Sequence, residues 1–574
     1  MQTIFKHFQE ITGKYPKNVA LGYKIDGHYK TINFRRLLEK INRLVTGFRK
    51  LGITEGDRVV IFSNSRHEYI RADLALNKIG AITVPIHTSL SPRLIKYIID
   101  DAGASFLIIG DLLSKFQQIE KQVNLKKVIT FNQIEWRQDF IYFDDLYKED
   151  PDQEAPADFA VCNIIYTSGT TGDPKGVMLT NENFLSNIVA AAQYVPYTSR
   201  DVFLSFLPLS HILERTAGYL APLYFGAAIY FADSPKTIAD DIKKAKPTIL
   251  VCVPRIFEKV YEKVMDKVRA SSKLKQNLVY TSLSISRAYL NAKKENSSLK
   301  IFLRLTHFLS DHFVLNKIRQ ALGGRLKYAI AGGAALNPAI AKFFETIGIK
   351  VLEGYGLTET SPIIAVNPVK HYKFGTVGKI IPGVEVKLAE DDEILTKGPN
   401  VMKGYYNDEK RTKEAFDDEG WFKTGDLGHL DQDGYLTIIG RKKEMIITST
   451  GKNINPADLE NALVESRYIN QAMVYGDRQK YLSALIVPDY EELKKYAEEN
   501  NLKLEYFQLL KNSQVIEFYQ QEINNQLKDF PDNEQVRKFI LLEKEFSEER
   551  EELTPSLKLR RDKILNNYKH LVGL

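Results

Sequence analysis

Cysteine is almost absent from this chain: 574 residues hold two, Cys162 and Cys252, each inside an apolar, strand-like run. Two isolated thiols exclude a disulfide framework and a Cys-x-x-Cys site. They read as small buried hydrophobes in a reducing compartment. Long apolar runs are also missing. The longest uncharged stretches, residues 183–199 and 216–232, are shorter than the ~20 residues needed to span a bilayer. The first contains Pro196; the second contains Gly218, Pro222 and Gly226 and reads as a buried helix, 216–224, followed by a strand, 227–232. The N-terminus, Met1-Gln-Thr-Ile-Phe-Lys-His-Phe8, has neither an apolar leader core nor a cleavage site, and no repeat of 20–50 residues appears. Charge is not strongly one-sided. A net +7 with pI ≈ 8.8 is weak support for nucleic acid and suits anionic substrates or an anionic membrane surface equally well. These absences predict a cytoplasmic protein with no transmembrane segment; peripheral contact with the inner face of a membrane stays open.

The length predicts more than one domain, and 44% hydrophobic with 26% charged residues is ordinary for a globular chain. Ile4, Phe5, Phe8 and Ile11 have helical spacing, read as a helix docking on its own domain. A second amphipathic helix opens at Thr31-Ile-Asn-Phe34, with Leu37, Leu38, Ile41 and Leu44 inward. Strand 58–62, helix 68–78, strand 81–85, helix 92–102 and strand 105–109 then alternate, which predicts a parallel or mixed sheet covered on both faces. The acidic, proline-bearing segment 148–157 reads as a surface linker. From 160 to about 440 alternation resumes, predicting a second α/β subdomain. It is interrupted by a helical insert at about 254–323, where Ile256, Val260, Val264 and Val268 fall at i, i+4 spacing among lysines. Those lysines read first as a solvated face, and a membrane contact is the alternative. Beyond Gly440 short strands (445–448, 471–474, 482–487, 538–542) separate amphipathic helices. The division is therefore a large N-terminal domain, 1–440, and a small α+β domain, 441–574, with the charged run Arg441-Lys442-Lys443 between them.

One stretch organises the rest. The apolar, β-branched run Val161–Tyr166 reads as a buried strand, and the chain then turns into Thr167-Ser-Gly-Thr-Thr-Gly-Asp-Pro-Lys175. Glycines let successive N–H groups converge on an anion, hydroxyls add neutral donors, and Lys175 adds a mobile charge. The Walker A pattern fails, because no glycine stands five residues before a Gly-Lys-Ser/Thr. This is a polyphosphate loop of another kind. Five further motifs follow in order. Phe206-Leu-Pro-Leu-Ser-His211 ends a strand at a polar turn, with Glu214-Arg215 expected to form a local ion pair. Ala329-Ile-Ala-Gly-Gly-Ala-Ala-Leu336 brings small residues after a strand, for tight packing or close approach to a flat ligand. Glu353-Gly-Tyr-Gly-Leu-Thr-Glu-Thr360 offers an aromatic face, a hydroxyl and a carboxylate. Trp421-Phe-Lys-Thr-Gly-Asp426 places an aspartate at a glycine turn. Near the end, Thr554-Pro-Ser-Leu-Lys558 carries a lysine in a basic tail.

At these residues, in this order and over about 31–560, the chain resembles the adenylate-forming superfamily, most closely its long-chain fatty acyl-CoA synthetases. The resemblance implies an α/β fold with a large N-terminal domain and a small C-terminal lid. It implies ATP or AMP bound by Thr167, Ser168, Gly169, Thr170, Thr171, Gly172 and Lys175 at the phosphates. Gly332, Gly333, Ala334, Glu353, Gly354, Tyr355 and Gly356 would lie around adenine, and Thr358 at the α-phosphate. Asp426 would accept the ribose hydroxyls and Arg441 would add a polar contact. Mg²⁺ would sit on Glu359 and Thr171, Lys443 would be the hinge, and Lys558 the mobile catalytic lysine. Leu557 stands where the common Ser-Gly-Lys form has glycine; the Thr-Pro-x-x-Lys variant belongs to the long-chain branch. His211 would line the acyl site rather than act as an acid or base.

The implied reaction has two steps. A fatty carboxylate attacks the α-phosphate of ATP, releasing pyrophosphate; the thiol of coenzyme A then displaces AMP. A carrier-protein ligase, a luciferase-like oxygenase and an inactive acyl- or nucleotide-binding scaffold share parts of the pattern. A peptide-synthetase unit is disfavoured, since little chain follows Arg560. Acyl length and oligomeric state are not legible.

Overall fold

The computed structural model describes residues 2–572 except 168–172, 235, 295–300, 450 and 555–557. By contacts the chain divides into two units: a larger one of residues 1–387, 395–423 and 430–437, and a smaller one of 388–394, 424–429 and 438–574. The larger is mixed α/β and the smaller α+β.

The larger unit is built on two sheets. The first runs, in spatial order, Gly404–Tyr405, Lys175–Thr180, Val161–Thr167, Ile82–Pro85, Arg58–Phe62, Phe106–Ile109, Lys127–Thr130 and Ile141–Tyr142. Its inner strands are parallel, and Lys175–Thr180 closes it as an antiparallel hairpin on Val161–Thr167. Val59, Val60, Ile61 and Phe62 are all buried, as strands covered on both faces must be. The covering helix His67–Ile79 is buried along nearly its whole length, charged residues included.

The second sheet has thirteen strands among the described residues and includes, in spatial order, Gly378–Ile380, Ile363–Val366, Lys350–Gly356, Tyr328–Ala331, Ile249–Cys252, Val202–Ser205, Ala228–Phe231, Val19–Ile25 and His28–Asn33. Six of these, from Lys350–Gly356 to Val19–Ile25, pair in parallel.

Four features differ from the sequence expectations. The Val161–Thr167 hairpin completes the first sheet and does not begin the second. Thr31–Asn33 is strand, and the following helix is Phe34–Lys50, capped by Asn33 accepting from Arg36 N at 2.9 Å. After Val366 alternation stops: Glu409–Ala415 is the only helix described between there and Pro456, and short antiparallel strands replace the expected α/β units. The segment expected to be one helix over 216–224 is a π-helical turn, Glu214–Leu220, running into Ala221–Tyr224. The insert is helical as expected, with Pro254–Arg269, Lys273–Lys294 and Ile301–Ser310 as its longer pieces.

In the smaller unit Ile469–Tyr475 and Leu482–Pro488 pair antiparallel, and Val536–Leu541 adds parallel to the second. Period-two alternation sorts their side chains. Val474, Ala484 and Ile486 join Leu459, Leu463, Val515 and Tyr519 in one core, while Met473, Leu485 and Val487 face Ile564 in another.

Candidate functional site

Lys175 begins the strand that returns from the organising turn. Thr167 and Lys175 are direct partners across the hairpin, so both ends of the turn are fixed. Ser168, Gly169, Thr170, Thr171 and Gly172 lie outside the described residues. Thr167 Oγ1 is buried with no partner among the described residues. Lys175 Nζ donates to the Tyr405 hydroxyl at 2.6 Å. That hydroxyl donates to Glu359 Oε1 at 2.9 Å, and Lys175 Nζ itself stands 3.6 Å from the same carboxylate oxygen. Burial, and next the charge of Glu359, push the Tyr405 phenol pKa well up. Its proton therefore stays in place to orient a carboxylate that is itself 9% exposed.

The backbone fixes Glu359 as tightly. It sits in the single turn Thr358–Thr360, between the Lys350–Gly356 strand and its antiparallel partner Ile363–Val366. Leu357 N donates to Thr360 Oγ1 at 2.9 Å. The amides of Asn187 and Asn400 both donate to the carbonyl of Ile363, at 2.7 and 3.1 Å. Met402 N donates to the Glu359 carbonyl at 2.8 Å. A Cβ on Gly356 would lie 1.6 Å from the Pro362 carbonyl oxygen, so this motif glycine is demanded by backbone contact alone. Gly354 and Tyr355 pair with Val366 and Ala365. Tyr355 and Thr358 are half-buried.

Gly332, Gly333 and Ala334 follow the strand Tyr328–Ala331. Gly333 has φ +88, the left-handed region that glycine enters without strain, and Gly333 and Ala334 are exposed. Glu353 ties this turn to the neighbouring strand: its Oε2 accepts from Leu336 N at 3.3 Å. Burial drives the Glu353 pKa up to about 7, and the Leu336 N–H offsets part of that.

His211 is half-buried; its Nδ1 accepts from Leu213 N at 3.3 Å. Leu213 packs onto Gly332, where an added Cβ would meet it at 3.1 Å. The expected Glu214–Arg215 ion pair does not form. Successive residues on a helix point apart, and Arg215 turns to Asp73 with Tyr219 Oη donating to the same carboxylate at 2.9 Å. Glu214 is left buried, 1% exposed, with Oε1 unpartnered among the described residues. Burial pushes its pKa up to about 8; the Ser205 hydroxyl, near but without a formed hydrogen bond, offsets a little.

A second cluster lies in the smaller unit. Asp426, 5% exposed, receives the Arg441 Nε at 2.9 Å, and its N–H donates to Thr424 Oγ1 at 3.1 Å. Lys558 is exposed as a residue, yet desolvation, and next the Arg441 charge, hold its ammonium below the ordinary lysine pKa; Asp426 and Glu444 pull the other way. Its loop is closed by Thr554 N donating to Lys558 O at 2.8 Å and Lys558 N donating to Thr554 Oγ1 at 3.0 Å. Lys443 is exposed in the turn after Arg441.

The fold thus gathers Lys175 with Glu359 and Glu353 with the 332–336 turn in the larger unit, and Asp426, Arg441 and Lys558 in the smaller. Sequence reasoning missed Tyr405, Asn187 and Asn400, which carry no motif signal of their own. Among the described residues no three His, Cys, Asp or Glu side chains are grouped to hold a metal. The lone carboxylate of Glu359 fits Mg²⁺, which takes one or two protein carboxylates and fills its shell with waters and phosphate oxygens; Thr171 is not among the described residues.

Residues 8–406 match the model of the AMP-binding enzyme family, and 443–573 match that of its C-terminal domain. The chain is 33% identical over 567 residues to the long-chain-fatty-acid–CoA ligase FadD15 of Mycobacterium bovis, covering 96% of this chain and 93% of that one. It is 31% identical over 627 residues to the human long-chain-fatty-acid–CoA ligase ACSBG1, covering 99% and 84%. In fold it is similar to the adenylation domain of a carboxylate reductase from Mycobacterium chelonae, with TM-score 0.80, 20% identity, and 100% and 91% of the two chains covered.

Proposed function

The chain belongs to the AMP-binding enzyme family, and we propose that within it this protein is an ATP-dependent long-chain fatty acid–CoA ligase. The observation that carries the reading is the run of hydrogen bonds from Lys175 through Tyr405 to Glu359. A cation and a carboxylate held side by side, before any ligand arrives, are what a metal-bound polyphosphate requires. The full-length similarity to two long-chain ligases at 33% and 31% identity supports the choice of acid. So does a small cavity with a wholly apolar lining that includes Phe206, Leu250, Phe257, Val260 and Phe344, although those side chains must part before a hydrocarbon tail can enter.

In the first step the acid's carboxylate oxygen attacks the α-phosphorus, the bond to the bridging oxygen breaks, and pyrophosphate leaves with that electron pair. The nucleophile is already ionised near neutral pH, so no base is needed. The obstacle is repulsion between anions. Lys175 offsets it at the leaving phosphates and Lys558 at the α-phosphate, where charge develops. Thr358 donates to the same phosphate. Glu359 would hold Mg²⁺, which would neutralise further phosphate charge. Asp426 accepts the ribose hydroxyls, with Arg441 holding its other side, and Tyr355 and the Gly332–Ala334 turn face adenine. In the second step the CoA sulfur attacks the acyl carbonyl, AMP departs on its phosphate oxygen, and the thiol proton goes to solvent. The smaller unit turns at Lys443 between the two steps, carrying Lys558 away. His211 borders the acyl carbonyl.

The test is ATP–pyrophosphate exchange and acyl-CoA formation across acids from acetate to oleate. Exchange that peaks with C14–C18 acids, with product only when free CoA is present, is expected. Exchange with short or aromatic acids alone would remove the fatty-acid assignment. Transfer to a carrier protein but not to CoA would remove the acceptor.

A further inference from the structure

The helix Ile301–Ser310 and the π-turn Asp311–Leu315 that follows carry two apolar faces where a surface helix needs one. The inner face is accounted for: His307 stacks on Tyr289 at 4.0 Å between ring centroids, and Ser310, Val314 and Leu315 are buried. The outer face is not. Ile301, Phe302, Leu305, Phe308, Leu309 and Phe313 are exposed by 45% to 87%, and at 100° per residue they fall within about 140° of arc. Taking ~200 Å² for a large side chain, they present on the order of 700 Å² of apolar surface. That exceeds the largest patch of a typical monomer, roughly 300–600 Å², and patches of that size mark interaction sites. Elsewhere the exposed large apolar side chains are scattered along the chain.

Charge identifies the occupant. Residues 254–323 contain fourteen Lys or Arg and five Asp or Glu, a net of +9 against +7 for the whole chain; everything outside this insert sums to −2. Arg304, His312 and Lys317 are exposed along the same stretch. The sole carboxylate between 301 and 317, Asp311, is engaged by Arg319 at 2.6 and 2.7 Å. A second copy docking here would press two strongly positive surfaces together. A bilayer surface rich in anionic lipid takes the apolar side chains into its acyl boundary and the basic rim among its headgroups. We propose that this face is a membrane-docking surface that seats the protein on an anionic bilayer. The surface argument stands whether or not the ligase reading holds.

The test is co-sedimentation of the full chain with phosphatidylcholine vesicles, with and without roughly one-third phosphatidylserine. Two variants are compared: Phe302→Gln/Phe308→Gln/Phe313→Gln, and Arg304→Gln/Lys317→Gln. Binding to the anionic vesicles is expected to fall at least about tenfold in each variant, and in the parent protein to weaken as salt rises. Circular dichroism, together with pyrophosphate exchange on a water-soluble acid, checks that each variant is folded. No binding of the parent to anionic vesicles at low salt overturns the proposal. So does equal binding by the triple Phe variant, or a parent dimer in sedimentation velocity that the triple variant abolishes.

Discussion

Glu214→Gln removes one proton-binding group from the interior of the larger unit while keeping its size and shape. The carboxyl is 1% exposed and has no formed partner at Oε1 among the described residues. Burial raises its pKa from an ordinary 4.5 to about 8. A folded pKa above the unfolded one means that the native state holds the proton longer. The stability this gives is fully present below pH 4.5 and is lost as pH rises through about 8. Each pH unit inside that window is worth ~1.4 kcal/mol, so the whole span amounts to about 5 kcal/mol. Glutamine cannot ionise and escapes the loss. Both tryptophans, Trp136 and Trp421, lie in the larger unit, so their fluorescence during guanidinium unfolding reports on the right part of the chain. The two proteins should match near pH 5, and the variant should gain ~1.4 kcal/mol per unit up to pH 8. Glu353, with a pKa of about 7, and His67 and His87, lowered to about 3 and about 4 by burial, titrate in both proteins and cancel in the difference. A stability difference that stays flat from pH 5 to 8 would refute the assignment of a buried, proton-holding Glu214.

Tyr405→Phe cuts the link between Lys175 and Glu359. Loss of a hydrogen bond to charged groups, about 1.5–3 kcal/mol, predicts pyrophosphate exchange slowed by roughly 10- to 100-fold, and an unchanged rate would contradict the orienting role. Lys558→Ala should abolish adenylate formation yet spare thioester formation from supplied acyl-AMP; equal loss in both half-reactions argues against a lysine that serves one step. Glu460→Ala strands Arg561, whose guanidinium makes bonds of 2.7 and 2.6 Å to that buried carboxylate. Leaving a buried charge unpaired costs about 3–5 kcal/mol, to be seen as lowered amide-exchange protection in the smaller unit while the larger keeps its own.

Local periodicity was a sound guide to elements: the strand at 161, the helices at 34 and 67 and the insert all lie within a few residues of their expected bounds. Motif residues were legible because a glycine or an acid at fixed spacing has few other uses, and Gly356 shows how strict one such use is. What stayed hidden is long-range. Arg215 chose Asp73, 142 residues away, over its neighbour Glu214, because a folded core offers partners that a linear reading does not rank. Tyr405 sits in an unremarkable Gly-Tyr-Tyr and gains its part only when its strand is laid beside Lys175–Thr180. The assignment of strands to sheets failed for the same reason, since hydrophobic alternation says that a strand is buried but not against which neighbour.

The order in which strands enter the sheets bears on how the chain can be made. The N-terminal hairpin of residues 19–33 has its parallel neighbour at Ala228–Phe231, and the edge strand Gly404–Tyr405 is the last member of a sheet whose first strand is Arg58–Phe62. On the ribosome, the N-terminal hairpin waits some two hundred residues for its parallel neighbour, and the first sheet waits about three hundred and fifty from its first strand to its last. Until then each nascent sheet exposes an unpaired rim, and it is there that a chaperone would find this chain during translation.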